Sequence, residues 1–554
     1  MMRRAKYCFL IMIGVLLSRP AAAQVENVPV ADPVYEFLDR LGVEGILPLY
    51  SNTMIPISRK EVARFLAVAD GRRDSLSDAE RGYLDKFKRE FARELDPDHE
   101  EVFDLFRDGT DGILSDREKY LYSYSDSNAA VYAEFVGSGE YRAASGDTYG
   151  TTHSAFETHG GRVRGTFLNS LGFYLEGTDG TLFGDKTFAL SDPHLRSNVK
   201  FNDLNSPYFD VTEGYLRAET PWFGIEFGRE NTLVGTGYSD RLLLSDNGPA
   251  IDAIKLDAHY KSLRFLFIHG SILADSNPFP GLLVDEPAGS FKYLALHRLQ
   301  FSVADRFNIG LSEMIIYQRF SPEFAYLNPV IFFKSVEHSL RDRDNAFLNF
   351  DLEYFLRPGV KFYGTLLIDD LDFSKIGTGW WGEELGSQAG LAITNIAGLP
   401  NVDAVIEYTR IDPYVYSNRT SGDDYTNNNI GLGHHLAPNS DELFLQLAFR
   451  PLPSLRGWIG YSYTRHGDNV TVNGVVVENV GGNLLQGHRD QDAPTVTFLG
   501  GDRSGKDDLQ LRATWEPIRD LYISGGYELQ RTDRFWLAQT AVDHYAMLRI
   551  QIGY

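Results

Sequence analysis

Residues 508–520, DLQLRATWEPIRD, set apolar Leu509, Leu511, Ala513 and Trp515 against polar Gln510, Arg512 and Thr514, then break into a tight connection at 516–520. A two-residue period is the mark of a strand with one apolar and one polar face. The same device stands in FGIEFGRE, 223–230, where Phe223, Ile225 and Phe227 alternate with Gly224, Glu226 and Gly228. It recurs to the end of the chain, in LRIQIGY at 548–554.

The connections between these segments are sorted by length. Short ones lie at 220–222, 304–305, 357–359, 398–401, 450–454 and 516–520. Long polar ones lie at 178–209, 230–250, 270–290, 321–344, 371–387, 412–440 and 466–507, and the two kinds alternate except between 230–250 and 270–290. A soluble sandwich has no reason to sort its loops by parity, whereas an outer-membrane barrel has tight periplasmic turns and long outer loops. The fold class expected is therefore mainly β: a transmembrane, antiparallel up-and-down β-barrel of about 18 strands over 121–554. Closure is what lets every backbone donor and acceptor pair inside lipid. The final strand is expected to pair with the first near Val131, with Leu548, Ile550, Ile552 and Tyr554 toward lipid and Arg549 and Gln551 toward the lumen.

Composition fits this reading. The 554 residues include 36 Phe and 30 Tyr against 6 Trp, which suits a lipid-facing band with aromatic girdles. Mean hydropathy is -0.25, as expected where apolar and polar residues alternate. A net charge of -23 argues against a nucleic-acid partner, which wants clustered Lys and Arg. No segment beyond the N-terminus supplies the roughly 18 uncharged apolar residues of a membrane helix.

Residues 1–23 read as a cleavable export signal, with Arg3, Arg4 and Lys6 before an apolar run and Ala21 and Ala23 before the cut. The one cysteine, Cys8, lies inside it, so the mature chain is expected to hold neither a disulfide nor a thiolate metal site.

From 24 to 120 the period is helical, and a small periplasmic helical region is expected there. DPVYEFLDRLG places Asp32 as N-cap, Pro33 at the first helical position, a Val34, Phe37, Leu38, Leu41 stripe and Gly42 as stop. Ser58 with Glu61, and Ser77 with Glu80, each read as a capping box.

No recognisable catalytic motif is read: there is no GxSxG, HExxH or P-loop. The acidic run at 104–118 holds no stretch with acidic residues at the first, third and fifth places and glycine at the sixth, as a calcium loop requires. His434 and His435 are adjacent, so in an extended chain they point apart and read as loop histidines. No metal or other cofactor is expected, and the chain is not expected to be an enzyme.

The stretch AYLNPVIFFKSVEHSLRDRDNAFLNF, 325–350, is too apolar and too charged for a solvated loop. It reads as a loop folded into the lumen as a plug, with Lys334, Arg341 and Arg343 able to meet acidic sugars. Together with DPVYEFLDRLGVEGILP, PISRKEVARFL and the following VKFYGTLLIDDLDF, this block resembles the Wzi-type capsule assembly proteins. The resemblance covers essentially the whole mature chain. It implies an eighteen-strand outer-membrane barrel with a small periplasmic helical bundle, acting as a lectin that holds capsular or other extracellular polysaccharide at the cell surface. It carries no binding residue over one by one.

A sugar ring offers an apolar face and a polar rim, so a site wants exposed aromatics beside charged groups. Trp380 and Trp381, in GTGWWGEEL, fall in an outer loop by parity and are the aromatic candidates, alongside an alternative role as interfacial anchors. The partners expected are polysaccharide and outer-membrane lipid, with the protein as a monomer. The competing functions are a porin-like channel, since a barrel of this size encloses a wide lumen, and an outer-membrane hydrolase.

Overall fold

The computed structural model describes residues 24–96, 102–110, 112–274, 291–341, 343–419 and 422–554. The export signal read over 1–23, and Asp342 of the charged block, lie outside the described residues. Eighteen antiparallel strands close a barrel. The first nine are β1 (Ala129–Gly146), β2 (Thr152–Phe167), β3 (Leu171–Gly184), β4 (Tyr208–Glu219), β5 (Phe223–Glu230), β6 (Ile251–Tyr260), β7 (Leu263–Ile272), β8 (Phe291–Val303) and β9 (Phe307–Arg319). The rest are β10 (Asn345–Arg357), β11 (Val360–Asp370), β12 (Glu384–Ile393), β13 (Val402–Ile411), β14 (Ser440–Leu452), β15 (Leu455–Asp468), β16 (Asp502–Ile518), β17 (Leu521–Arg534) and β18 (Gln539–Gly553).

Side chains alternate across the wall as the two-residue period requires. Leu548 and Ile550 are 52% and 45% exposed on the outside, while Arg549 turns inward, 3.8 Å from Glu140. Closure takes a different register from the one expected. β18 pairs with Val136–Gly146 of β1, and Val131 pairs instead with Tyr124 of a short strand, Tyr122–Ser125, that fills the rest of the same edge. Tyr554 ends the seam with its amide donating to the Phe135 carbonyl at 2.8 Å, its ring under the Lys119 ammonium.

The short connections gather at one end. Ala304 and Asp305 both take left-handed φ (54° and 51°) in the β8–β9 turn, the backbone that a tight hairpin of right-handed twist demands. That mouth is closed by three helices, α1 (Val34–Val43), α2 (Arg59–Asp70) and α3 (Asp78–Glu90), packed through Phe37, Leu38, Leu66, Leu84 and Phe87. Asp32 accepts the Val34 amide at 2.8 Å, and Ser77 and Glu80 make the full capping box. Ser58 caps Glu61, but the Glu61 carboxylate does not return the bond; it reaches Arg264 on the inner wall, 3.0 Å away, because a charge pair outweighs a single amide. Gly42 is not the stop: α1 runs to Val43, and Gly45 takes the left-handed φ of 76°. Gly42 is small because Tyr50 packs on it, 3.3 Å from where a Cβ would stand.

Docking of the helices on the barrel is ionic. Arg40 pairs with Asp403, Lys86 with Glu516, and Glu90 with Arg519 at 2.9 Å. Gly359 donates to the Val43 carbonyl at 2.8 Å.

The lumen is plugged from the long-loop end, but by other residues than expected. The segment after β5 descends inside the barrel until Leu233 and Val234 pair with Ile55 and Met54 of the helical region. Leu242, Leu243 and Leu244 pack there with Tyr416, Tyr425 and Leu432 from the 412–439 connection, against inward Leu294, Leu296, Met314, Ile316 and Phe347.

The 320–344 connection goes to the other face of the wall. Its helix α4 (Phe333–Ser339) and Tyr326 lie on outward residues of β7, β8, β9 and β10: Phe267, Tyr293, Ala295, Ile315, Tyr317 and Ala346. The physical reason is on that wall, where His297 and Glu313 stand outward, 3.0 Å apart. An ionisable pair facing hydrocarbon is costly. The strap covers it, with the Phe333 and Lys334 amides donating to Glu313 at 2.9 and 3.2 Å and the Phe333 ring stacked on His297 at 4.4 Å.

Candidate functional site

A cavity of about 770 Å³ opens at the long-loop end, on the side of the lumen that the plug leaves clear. Alternate inward residues of four neighbouring strands across the closure seam build it: Glu140 and Arg142 from β1, Arg512 from β16, Glu528, Gln530 and Thr532 from β17, and Asp543, Tyr545 and Arg549 from β18. The β1–β2 connection is pinned over it, because Asp543 accepts the Thr148 amide at 2.8 Å and its hydroxyl at 2.6 Å. This places Tyr149 5.4 Å from Phe188, whose ring in turn lies 6.2 Å from Tyr545 at an interplanar angle of 13°.

Beside this aromatic row stand held charges. Arg142 bridges Glu140 and Asp192, the latter at 2.9 Å, and Arg512 lies 3.5 Å from Glu528. Gln530 donates to Glu528 and, at 3.3 Å, to Asp508. Apolar ring faces next to fixed donors and acceptors match the two sides of a pyranose. The mixture of signs suits a neutral or weakly charged glycan better than a dense polyanion.

Trp380 and Trp381 do lie at the long-loop end, but they hold loops together. Trp380 bridges to Thr495 with the Lys375 ammonium 3.8 Å from its ring, and the Trp381 amide donates to the Pro494 carbonyl at 3.3 Å. The Trp381 ring is flanked by His488 at 4.1 Å and Arg419 at 4.3 Å, with Tyr414 on edge at 5.8 Å. Lys334, Arg341 and Arg343 stand apart from this cluster, on the strap outside the wall. Lys334 pairs with Glu337 at 2.9 Å, while Arg341 and Arg343 are exposed. The five candidates are thus not one site.

The two adjacent histidines belong to the plug. Among the described residues, Asp240, His434 and His435 bring ligand atoms within 4.8 Å of one another, the spacing a cation would need. Their donors and acceptors are already engaged. His435 lies 3.3 Å from Asp240 and 3.4 Å from Glu442, and its amide donates to Asp240 at 2.7 Å. Burial works against charge on His435, yet its bonds to these two carboxylates push it up to about 10. Burial and the charge of His435 drop His434 to about 4. Burial would raise the Asp240 carboxyl, but the His435 bond and both imidazoles hold it well below the usual carboxylate range. The cluster is an ionic lock that fixes the descending plug to the 412–439 loop.

Residues 147–544 match the family described as capsule assembly protein Wzi. Among solved structures, Wzi of Escherichia coli, described as an outer membrane protein involved in group 1 capsule assembly and a carbohydrate-binding β-barrel, aligns with a TM-score of 0.57. It is 13% identical, and the alignment covers 96% of this chain and 100% of that one. OprD of Pseudomonas aeruginosa aligns at 9% identity over 76% of this chain and 94% of its own, with a TM-score of 0.43. No curated relative matches by sequence. At 13% identity the likeness to Wzi of Escherichia coli speaks for the fold alone.

Proposed function

We propose a function from one premise: the chain belongs to the capsule assembly protein Wzi family. On that premise the barrel spans the outer membrane and retains capsular or other extracellular polysaccharide at the cell surface. The short-turn mouth, with α1–α3, faces the periplasm, and the long loops face outward. The observation that carries the proposal is the outward-opening cavity lined by Tyr149, Phe188 and Tyr545 beside Arg142, Glu140 and Gln530. A site that opens outward beside the plug, with α1–α3 across the opposite mouth, suits a holder of surface glycan rather than a conduit for solutes. The reading is of a binding protein acting as a monomer and catalysing no reaction.

Trp380 and Trp381 support this role by fixing the outer loops in place. Lys334, Arg341 and Arg343 stand on the outer wall, apart from the cavity. The test is binding of oligosaccharides, prepared from the host's own surface polysaccharide, to the purified full-length barrel by calorimetry. Saturable binding that weakens in Tyr545→Ala supports the site; no binding by the intact protein refutes it.

A further inference from the structure

The strap over 320–344 has an outer side that the fold does not use. Phe320, Phe324, Val330 and Phe332 are 74, 86, 81 and 54% exposed there. Large apolar side chains clustered on a surface mark contact with something apolar. Their depth says what. Tyr317 stands ten residues above Phe307, which at about 3.3 Å per residue and a tilt of about 40° is about 25 Å, the height of a barrel's lipid-facing band. The strap lies against the rows from Glu313 to Tyr317, directly above the outward, exposed Ile309 and Leu311. Its outer side therefore continues the lipid belt through the outer leaflet.

The charges are sorted to match. Glu337 and Asp344 are buried, Asp344 against Arg319 and the Tyr326 hydroxyl, whereas Arg341 and Arg343 are exposed at the strap's end. We propose that the strap docks phosphorylated lipid of the outer leaflet, its four apolar side chains among the acyl chains and Arg341 and Arg343 on the phosphates. Arginine forks suit phosphate oxygens, and a cation beside apolar anchors is the arrangement that holds a segment at an anionic lipid surface. The inference rests on the barrel spanning a membrane and not on glycan binding, so either can fail without the other.

Two measurements on the full-length protein test it. Cys8 is the only cysteine and lies in the segment read as the export signal, so Phe324→Cys gives a single site for a spin label in bilayers, with Ile309→Cys as the lipid-facing control. Collision with oxygen should exceed collision with an aqueous nickel chelate at both positions. A water-like profile at Phe324, which a protein-docking face would give, overturns the proposal. Native mass spectrometry with bisphosphorylated lipid A and its phosphate-free form reads the second part. The intact protein should prefer the phosphorylated lipid by roughly tenfold and Arg341→Gln with Arg343→Gln should abolish the preference. An equal preference in intact protein and variant overturns it.

Discussion

Replacing Glu313 with alanine should release the strap from the barrel wall. Glu313 is 2% exposed and accepts the Phe333 and Lys334 amides at 2.9 and 3.2 Å, besides facing His297 at 3.0 Å. A buried amide left without an acceptor costs about 1–3 kcal/mol. Two of them, partly relieved by water entering the gap, set a local loss of about 3 kcal/mol, or roughly a hundredfold in the opening equilibrium. Hydrogen exchange in bilayer nanodiscs reads this directly: the amides of 333–340 should lose about two decades of protection, while those of β8 and β9 stay protected. Glu313→Gln keeps a carbonyl acceptor and should lose about one decade or less. Unchanged exchange in Glu313→Ala would refute the claim that this carboxylate ties the strap down, and loss in the strands as well would place its role in the barrel itself.

Other expectations follow from the same geometry. Tyr545→Ala should weaken oligosaccharide binding roughly fivefold, for about 1 kcal/mol of aromatic contact, with the heat-modifiable folded band on gels unchanged. In planar bilayers the intact protein should show no large steady openings, and replacing 235–245 by a short glycine linker should produce them; large openings in the intact protein would restore the channel reading. Lys86→Ala leaves Glu516 buried with weaker partners, Arg519 at 3.5 Å and the Asp520 amide at 3.2 Å, and should loosen the helical region by about 3 kcal/mol, seen as protease cleavage before residue 120 with the barrel intact. His435 is raised to about 10 from an ordinary value near 6.5, so its contribution to the plug is full below about 6.5 and is lost as pH rises through about 10. The ring is 44% exposed, so solvent mutes the effect. Openings should become more frequent between pH 6.5 and 10, and His435→Gln should flatten that dependence.

The parts of the fold legible in the sequence are those set by local chemistry. The two-residue alternation marks β16 and β5 without ambiguity, and Ser77 with Glu80 writes its cap in full. The turn at Lys261 and Ser262 was missed: like the 304–305 turn it has no glycine or proline, and its left-handed φ of 56° at Lys261 shows only in the structure. The direction of the 320–344 loop was not legible from the loop itself, since an apolar, charged segment satisfies a lumen wall or a lipid-side wall equally. The signal lay in the strands: His297 and Glu313 fall on the outward face and demand a cover. The cavity was invisible because its residues come from four strands and two loops at opposite ends of the sequence. Tyr545 and Tyr149 look like any other of the 30 tyrosines until closure sets β18 beside β1.

The central claim, retention of polysaccharide at the surface, is tested most directly in cells carrying a clean deletion of the gene. The measurement is the ratio of cell-bound to released polysaccharide, with total polysaccharide as the control. The ratio should fall while the total holds, return with the intact chain, and return only in part with Tyr545→Ala. An unchanged ratio in the deletion would contradict the account.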